Sequence, residues 1–318
     1  VICTNDTPCD VTICAPSVVA GLRSVGAIEP LSNQDGVVPV REKLLVDTGV
    51  SRVLIGFDED IPDPVMSAFG HMSLPSNSAC DAYVLAQRLA DKTGIAPRGE
   101  TPVRVGDDML VPQLKLAITE SVLEFADDLL LHAAVVVHDS GRAMLLVGGP
   151  GAGKSTLATA LGTAGFTLAG DDIAILKKDG SVFAIPFPST LKTGSWELLG
   201  AKQDEISAAD IHLRPDGKYV KYLAVDKEAA LTPRQVGWVV FLDRQNDETP
   251  TVCAQPVPQT ISELISQVWT GTSDLTIDEF RALAACVNDA TCFRLHYSDL
   301  TMAVAALRDF CTESVRDI

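Results

Sequence analysis

The sequence is poor in several things, and each shortage excludes something. Aromatic residues make up 5% of its 318 positions against 47% hydrophobic residues overall, so the core must be aliphatic. Cations are scarce: 25 Lys and Arg face 42 Asp and Glu, a formal net charge of −17. Such a surface repels polyanions and argues against nucleic acid or an anionic membrane as the main partner. No stretch approaches the roughly 20 apolar residues that a membrane span needs. The opening residues, Val1 to Asp6, lack the basic region and apolar run of a signal peptide, so a cytoplasmic location is expected. The eight cysteines contain no C-x-x-C pair and no zinc-finger spacing with His. Cys3, Cys9 and Cys14 cluster, which leaves a metal or redox reading open beside that of reduced cytosolic thiols. There is no internal repeat and no low-complexity segment.

One stretch stands out. Gly148-Gly149-Pro150-Gly151-Ala152-Gly153-Lys154-Ser155 fits G-x-x-x-x-G-K-[ST]. The apolar run 144–147 before it reads as a buried strand, and the helix formers from Thr156 to Leu161 read as a helix. Glycines between a strand and a helix let successive N–H groups turn around an anion, at the positive end of the helix dipole. Residues Gly148 to Thr156 are therefore expected to bind ATP. Lys154 is expected on the β/γ-phosphates and the Ser155 hydroxyl on Mg²⁺.

Around this motif the chain reads as α/β. Strands are expected over 11–15, 43–47 and 52–56, and a helix over 79–93 closed by Gly94. A boundary falls between about residues 95 and 125; set at 120, it gives an N-terminal α/β region, 1–120, for substrate recognition or regulation, and a catalytic domain, 121–318. Residues 131–147 form a β-hairpin feeding the glycine loop. Residues 204–216 read as a polar, mobile loop, 218–223 and 237–242 as strands, and 260–316 as mostly helical.

Asp171-Asp172 is the second informative feature, because buried carboxylates are costly unless paired or metal-bound. Beside a phosphate loop, one carboxylate can hold Mg²⁺ and another can take the proton of an attacking hydroxyl. Neighbours on a strand point to opposite faces, so their roles need not be equal. Solvated acids at a strand-edge turn are the alternative. His132 at the head of the hairpin reads equally as a catalytic or a core histidine. Lys192, Lys218 and Lys221 read as phosphate contacts or surface lysines, Glu197 as a second metal ligand or a solvated charge, and Trp196 as packing.

His132-Ala133-Ala134, the hairpin, the loop, and Ala169-Gly170-Asp171-Asp172, whose acids fall 17 and 18 positions after Lys154, together resemble the catalytic half of HPr kinase/phosphorylase over about residues 125–245. The resemblance implies a P-loop kinase fold of the HPr kinase and phosphoenolpyruvate-carboxykinase-like type. It implies ATP-dependent phosphorylation of a Ser or Thr hydroxyl on a protein or peptide, with Asp172 as base, Asp171 and Ser155 toward Mg²⁺, and His132 near the base. Thr156 stands where those enzymes usually carry Glu, and their Arg-Gly/Gly-Arg-Asn segment has no clear counterpart. The segment 186–192, followed by Lys218 and Lys221, is more similar to HPr-kinase-related proteins of peptide-modifying gene clusters, which implies a ribosomal precursor peptide as acceptor. Related kinases are commonly oligomeric, which leaves a homo-oligomer open. A small-molecule hydroxyl kinase and a nucleotide-binding regulatory module without transfer are the competing functions.

Overall fold

The computed structural model describes residues 32–33, 36–37, 40–89, 92–97, 102–245, 249–269 and 275–316. The strand expected over 11–15 and the cysteines at 3, 9 and 14 lie outside them. The architecture is mixed α/β with several sheets. Among the described residues no helix is long and apolar enough to cross a membrane.

The larger sheet carries the glycine loop. Its order runs Phe166–Gly170, Ala133–His138, Ala143–Val147, Arg234–Arg244, Ser181–Ala184, Ala174–Leu176, Leu129–Leu131, Val268–Trp269, with Thr291–Tyr297 and Thr251–Ala254 joined beyond Arg234–Arg244. Ala133–His138 and Ala143–Val147 pair antiparallel, as the hairpin reading expects, while Ala143–Val147 pairs parallel with Arg234–Arg244 on its other side. Side chains alternate between the faces. Ala134, Val136, Met144 and Leu146 pack with Leu157, Leu161, Trp238 and Leu307. Val135, Leu145 and Val147 face the opposite way, toward Leu264, Leu283 and Val287. With both faces covered, the strand that ends at the loop is fixed in place.

The N-terminal region forms a six-stranded sheet in the order Ser73–Leu74, Glu42–Asp47, Arg52–Phe57, Ala82–Leu89, Lys92–Pro97, Val103–Val105. The strands expected at 43–47 and 52–56 are present. The helix expected over 79–93 is not. Ala82–Leu89 and Lys92–Pro97 form an antiparallel hairpin, and Gly94 sits opposite Gln87 inside it. A short apolar run such as 82–86 satisfies either period, and parallel pairing with Arg52–Phe57 decides for the strand.

Helix Leu110–Phe125 buries Val111, Leu114, Ile118 and Val122 in the same core as Val53, Ile55 and Val84. That core continues into Ile173, Ile175, Phe187 and Tyr222 of the other region. The boundary set at residue 120 falls inside this helix. Further stitches are His71 Nε2 with the Pro186 carbonyl, 2.8 Å, and Lys227 Nζ donating to the Met72 and Ser73 carbonyls, 3.1 Å each.

Two other expectations change. The polar stretch 204–216 contains helix Gln203–Ala208, anchored by buried Ile206, and the short strand His212–Leu213. The C-terminal part has helices Val257–Ile265, Ile277–Asn288 and Leu300–Arg316, but also strand Thr291–Tyr297, parallel to Arg234–Arg244.

Leu114 is fully buried where the two regions share their core. Leu114→Ala is expected to cost about 2–5 kcal/mol, read as a lower denaturant midpoint; a shift within error would show that the helix is not packed there.

Candidate active site

The glycine loop crosses from strand Ala143–Val147 to helix Lys154–Leu161, with Gly153 as the helix N-cap. Gly151 and Gly153 have φ of 85° and 93°, values that side-chain-bearing residues rarely adopt. Gly153 has a second reason to be glycine: a Cβ there would lie 2.3 Å from the Tyr297 hydroxyl, which donates to the Ala152 carbonyl at 2.7 Å. Gly149 and Gly151 have open space where a Cβ would project. Gly149 and Pro150 are exposed, while Gly148, Ala152, Ser155 and Thr156 are half-buried. Lys154 is buried and its Nζ donates to the Gly148 carbonyl at 2.6 Å, so the side chain folds back across its own loop. Burial lowers its pKa, Asp171 and Asp172 raise it, and Lys192 lowers it.

Asp171 and Asp172 occupy the break between strands Phe166–Gly170 and Ala174–Leu176. Gly170 makes the break passable, since a Cβ would lie 2.5 Å from the Ala184 Cβ. The two acids differ sharply. Asp171 is fully buried. Its Oδ2 accepts from the Thr190 amide at 2.8 Å, and its Oδ1 is buried with no hydrogen-bond partner. Burial, then the charge of Asp172, push its pKa up to about 6 against the pull of Lys115, the Thr190 amide and the Ser155 hydroxyl. Asp172 keeps 31% of its side chain exposed and forms an ion pair with Lys115. Burial would raise its pKa, but Lys115, with His132 and Arg214, outweighs burial and holds it below the usual carboxylate range.

Lys115 is the residue that sequence reasoning missed. It comes from helix Leu110–Phe125, in the N-terminal half of the chain. Its Nζ also donates to Thr190 Oγ1 at 2.8 Å and lies 5.2 Å from the Phe187 ring and 5.7 Å from that of Tyr222. The signal was present in the helix stripe. Position 115 falls in register with Val111, Ile118 and Val122, the buried face, where a lone lysine needs a partner.

His132 joins Leu129–Leu131 to Ala133–His138. Its Nδ1 lies 3.1 Å from the Asp172 carbonyl, and its ring stacks on Trp269 with centroids 5.8 Å apart. Burial and then Lys154 lower its pKa, which favours the neutral imidazole. It touches the backbone of Asp172 and not its carboxylate, so its contact is a positioning one. Lys192 is exposed at the end of Ser189–Lys192, and Lys218 is paired with Asp216. Lys221 is neither a phosphate contact nor a surface lysine: it is buried, donates to the Ile206 carbonyl and lies 5.1 Å from the Trp196 ring. Trp196 packs as expected, with Nε1 donating to the Leu191 carbonyl at 2.9 Å. Glu197 is exposed. A cavity of about 130 Å³ opens beside Gly148 and Gly149, but neither Lys154 nor either aspartate lines it. The titratable cluster lies outside it.

The residues fit a hard cation. A buried carboxylate oxygen without a donor, next to a serine hydroxyl, offers oxygen ligands of the kind Mg²⁺ takes. Among the described residues no three His, Cys, Asp or Glu side chains form a metal cluster. Mg²⁺ needs none, since it binds through one or two carboxylates, phosphate oxygens and water.

No protein-family model matches this chain, and no curated protein does. Among solved structures it is similar to the Hpr(Ser) kinase/phosphatase from Coxiella burnetii, at 12% identity over 58% of this chain and 97% of that one, with a TM-score of 0.29. A likeness at that level is distant and carries no argument, so the chemistry rests on the residues themselves.

The raised Asp171 pKa has a consequence for stability. The folded chain favours the neutral acid, so stability present below about pH 4 is lost as pH rises toward and past 6. Asp171→Asn is expected to be more stable than wild type above pH 6, by up to about 3 kcal/mol, with the difference gone below pH 4. Denaturation curves that stay parallel across that range would contradict the burial of this acid.

Proposed function

We propose that this chain is a P-loop kinase of the HPr-kinase-like type that uses Mg-ATP to phosphorylate a Ser or Thr hydroxyl on a protein or peptide. The observation that carries the reading is one convergence of two segments: Thr159 of the loop helix bonds Ser189 at 3.0 Å, Ser189 donates to Asp171 at 3.5 Å, and both Asp171 and Asp172 act on the charge of buried Lys154. Their meeting is what phosphoryl transfer requires.

Mg-ATP supplies the phosphoryl group and its charge neutralisation. The loop amides of Gly148 to Thr156, with the helix N-terminus behind them, hold the phosphates. Lys154 exchanges the Gly148 carbonyl for phosphate oxygens. Ser155 and Asp171 would hold the metal, whose charge would favour the ionised form of the buried acid. Asp172 is ionised at neutral pH and partly open, and it accepts the proton of the acceptor hydroxyl as that oxygen bonds to the γ-phosphorus, whose bond to the β,γ-bridging oxygen breaks to release ADP. Lys115 holds one oxygen of that carboxylate, so the base is oriented before the acceptor arrives. His132 fixes the backbone of Asp172 as a neutral ring. In this reading residues 1–120 form a recognition or regulatory part, joined to the catalytic part, 121–318, through the helix of Lys115.

Two substitutions test the reading. Lys154→Ala is expected to abolish Mg-ATP binding by calorimetry. Asp172→Asn is expected to retain it and lose transfer by about 10²–10⁴-fold, measured with γ-labelled ATP and protein acceptors. Wild-type transfer in the second variant would remove Asp172 from the chemistry. ATP binding with no transfer to any acceptor, in wild type as well, would favour a regulatory module.

A further inference from the structure

A three-stranded sheet, Ser189–Lys192, Tyr219–Leu223, His212–Leu213, runs from the aspartates to solvent. Its register puts Thr190 opposite Tyr222 and Lys192 opposite Val220, with His212 opposite Val220 on the other side. The Arg214 amide donates to the Lys218 carbonyl at 3.0 Å, so those two residues face each other one step beyond. Residues two apart on a strand share a face. Thr190, Tyr222, Lys192, Lys218 and Arg214 therefore lie on one face, with Val220 and His212 buried between its inner and outer ends.

The two ends of that face differ. At the inner end, Thr190 Oγ1 and the Tyr222 ring receive Lys115, the partner of Asp172. At the outer end stand Lys192, Lys218 and Arg214 around one acid, Asp216, 3.3 Å from both the Arg214 Nε and the Lys218 Nζ. Arg214 and Lys218 keep 36% and 48% of their side chains exposed. Three cations against one carboxylate leave the rim positive, on a chain whose net charge is −17. Burial and then the neighbouring cations Arg214 and Lys218 depress the pKa of Lys192, and Arg214 also acts on Asp172. The rim is thus electrostatically continuous with the base.

The geometry points to an acceptor whose hydroxyl is flanked by acidic residues: Arg214 and Lys218, with Lys192 behind them, form a docking rim for an anionic peptide segment at the open edge of this face. The inference rests on the kinase reading for its direction, because the hydroxyl must reach Asp172. The anion-binding rim itself is measurable without any transfer. The rim's cations are solvent-exposed point charges, so its contribution is to selectivity and to salt-sensitive attraction, in the range of surface pairs.

The experiment uses the full chain and three sets of short fluorescent peptides, each with a central Ser flanked by Asp and Glu, by Gln and Asn, or by Lys and Arg. Anisotropy is expected to show the acidic set binding about tenfold tighter than the neutral one, equal to about 1.4 kcal/mol, and weakening with salt. Arg214→Glu with Lys218→Glu is expected to reverse the order of acidic and basic sets. Asp216→Asn, which only removes a negative charge, is expected to tighten acidic binding. Equal binding of the three sets, or an order that none of these substitutions moves, would overturn the rim. Transfer from γ-labelled ATP to the same peptides separates the two claims. Selective binding without label on any peptide keeps the rim and removes the kinase reading; label spread evenly over all sets, with even binding, does the reverse.

Discussion

Two adjacent carboxylates, one fully and one partly buried, lose water and repel each other at once, and the site is arranged around that cost. The two acids meet it differently. Asp172 stays charged because an ammonium from a distant helix is paired with it. Asp171 has the Thr190 amide and serine hydroxyls but no ion pair of its own, so burial pushes it toward the neutral form. Environment, and not residue type, separates the pair into an ionised carboxylate and one pushed toward its neutral form. Acid–base assignments rest on divergence of this kind in general.

Because the partner of Asp172 is Lys115, the half of the chain that carries the glycine loop is electrostatically incomplete without the N-terminal half. Lys115 also fixes Thr190, whose amide serves Asp171, so one lysine touches the surroundings of both acids. Its helix is held by Val111, Leu114, Ile118 and Val122 in a core that spans the two regions. Truncation ahead of this helix's packing partners would therefore act on the site as well as on stability, since breaking a buried pair leaves the other charge uncompensated.

What was legible in the sequence was local. A strand, a glycine loop and a helix follow each other within about twenty residues, and each is specified by its own residues. The hairpin before the loop was legible for the same reason. The acid pair stood out because charge interrupts an apolar run. What was not legible depended on partners far along the chain. Ala82–Leu89 is a strand because Arg52–Phe57 lies beside it, and Thr291–Tyr297 because Arg234–Arg244 does. Lys221 reads as a surface lysine until the Ile206 carbonyl and the Trp196 ring are placed around it. Lys115 pairs with an aspartate 57 residues away; its stripe position hinted at burial but could not name the partner.

Charge distribution ties the fold to the chemistry. The chain as a whole repels anions, yet Lys115, Lys154, Lys192, Lys218 and Arg214 gather around three carboxylates, one of them tending to neutral. A small positive area within a negative surface draws anions to one place more selectively than a uniformly basic protein would. It also separates two tasks by depth. Buried Lys154 acts where charge interactions are strong. The exposed rim acts through water and salt, where they are weak and adjustable.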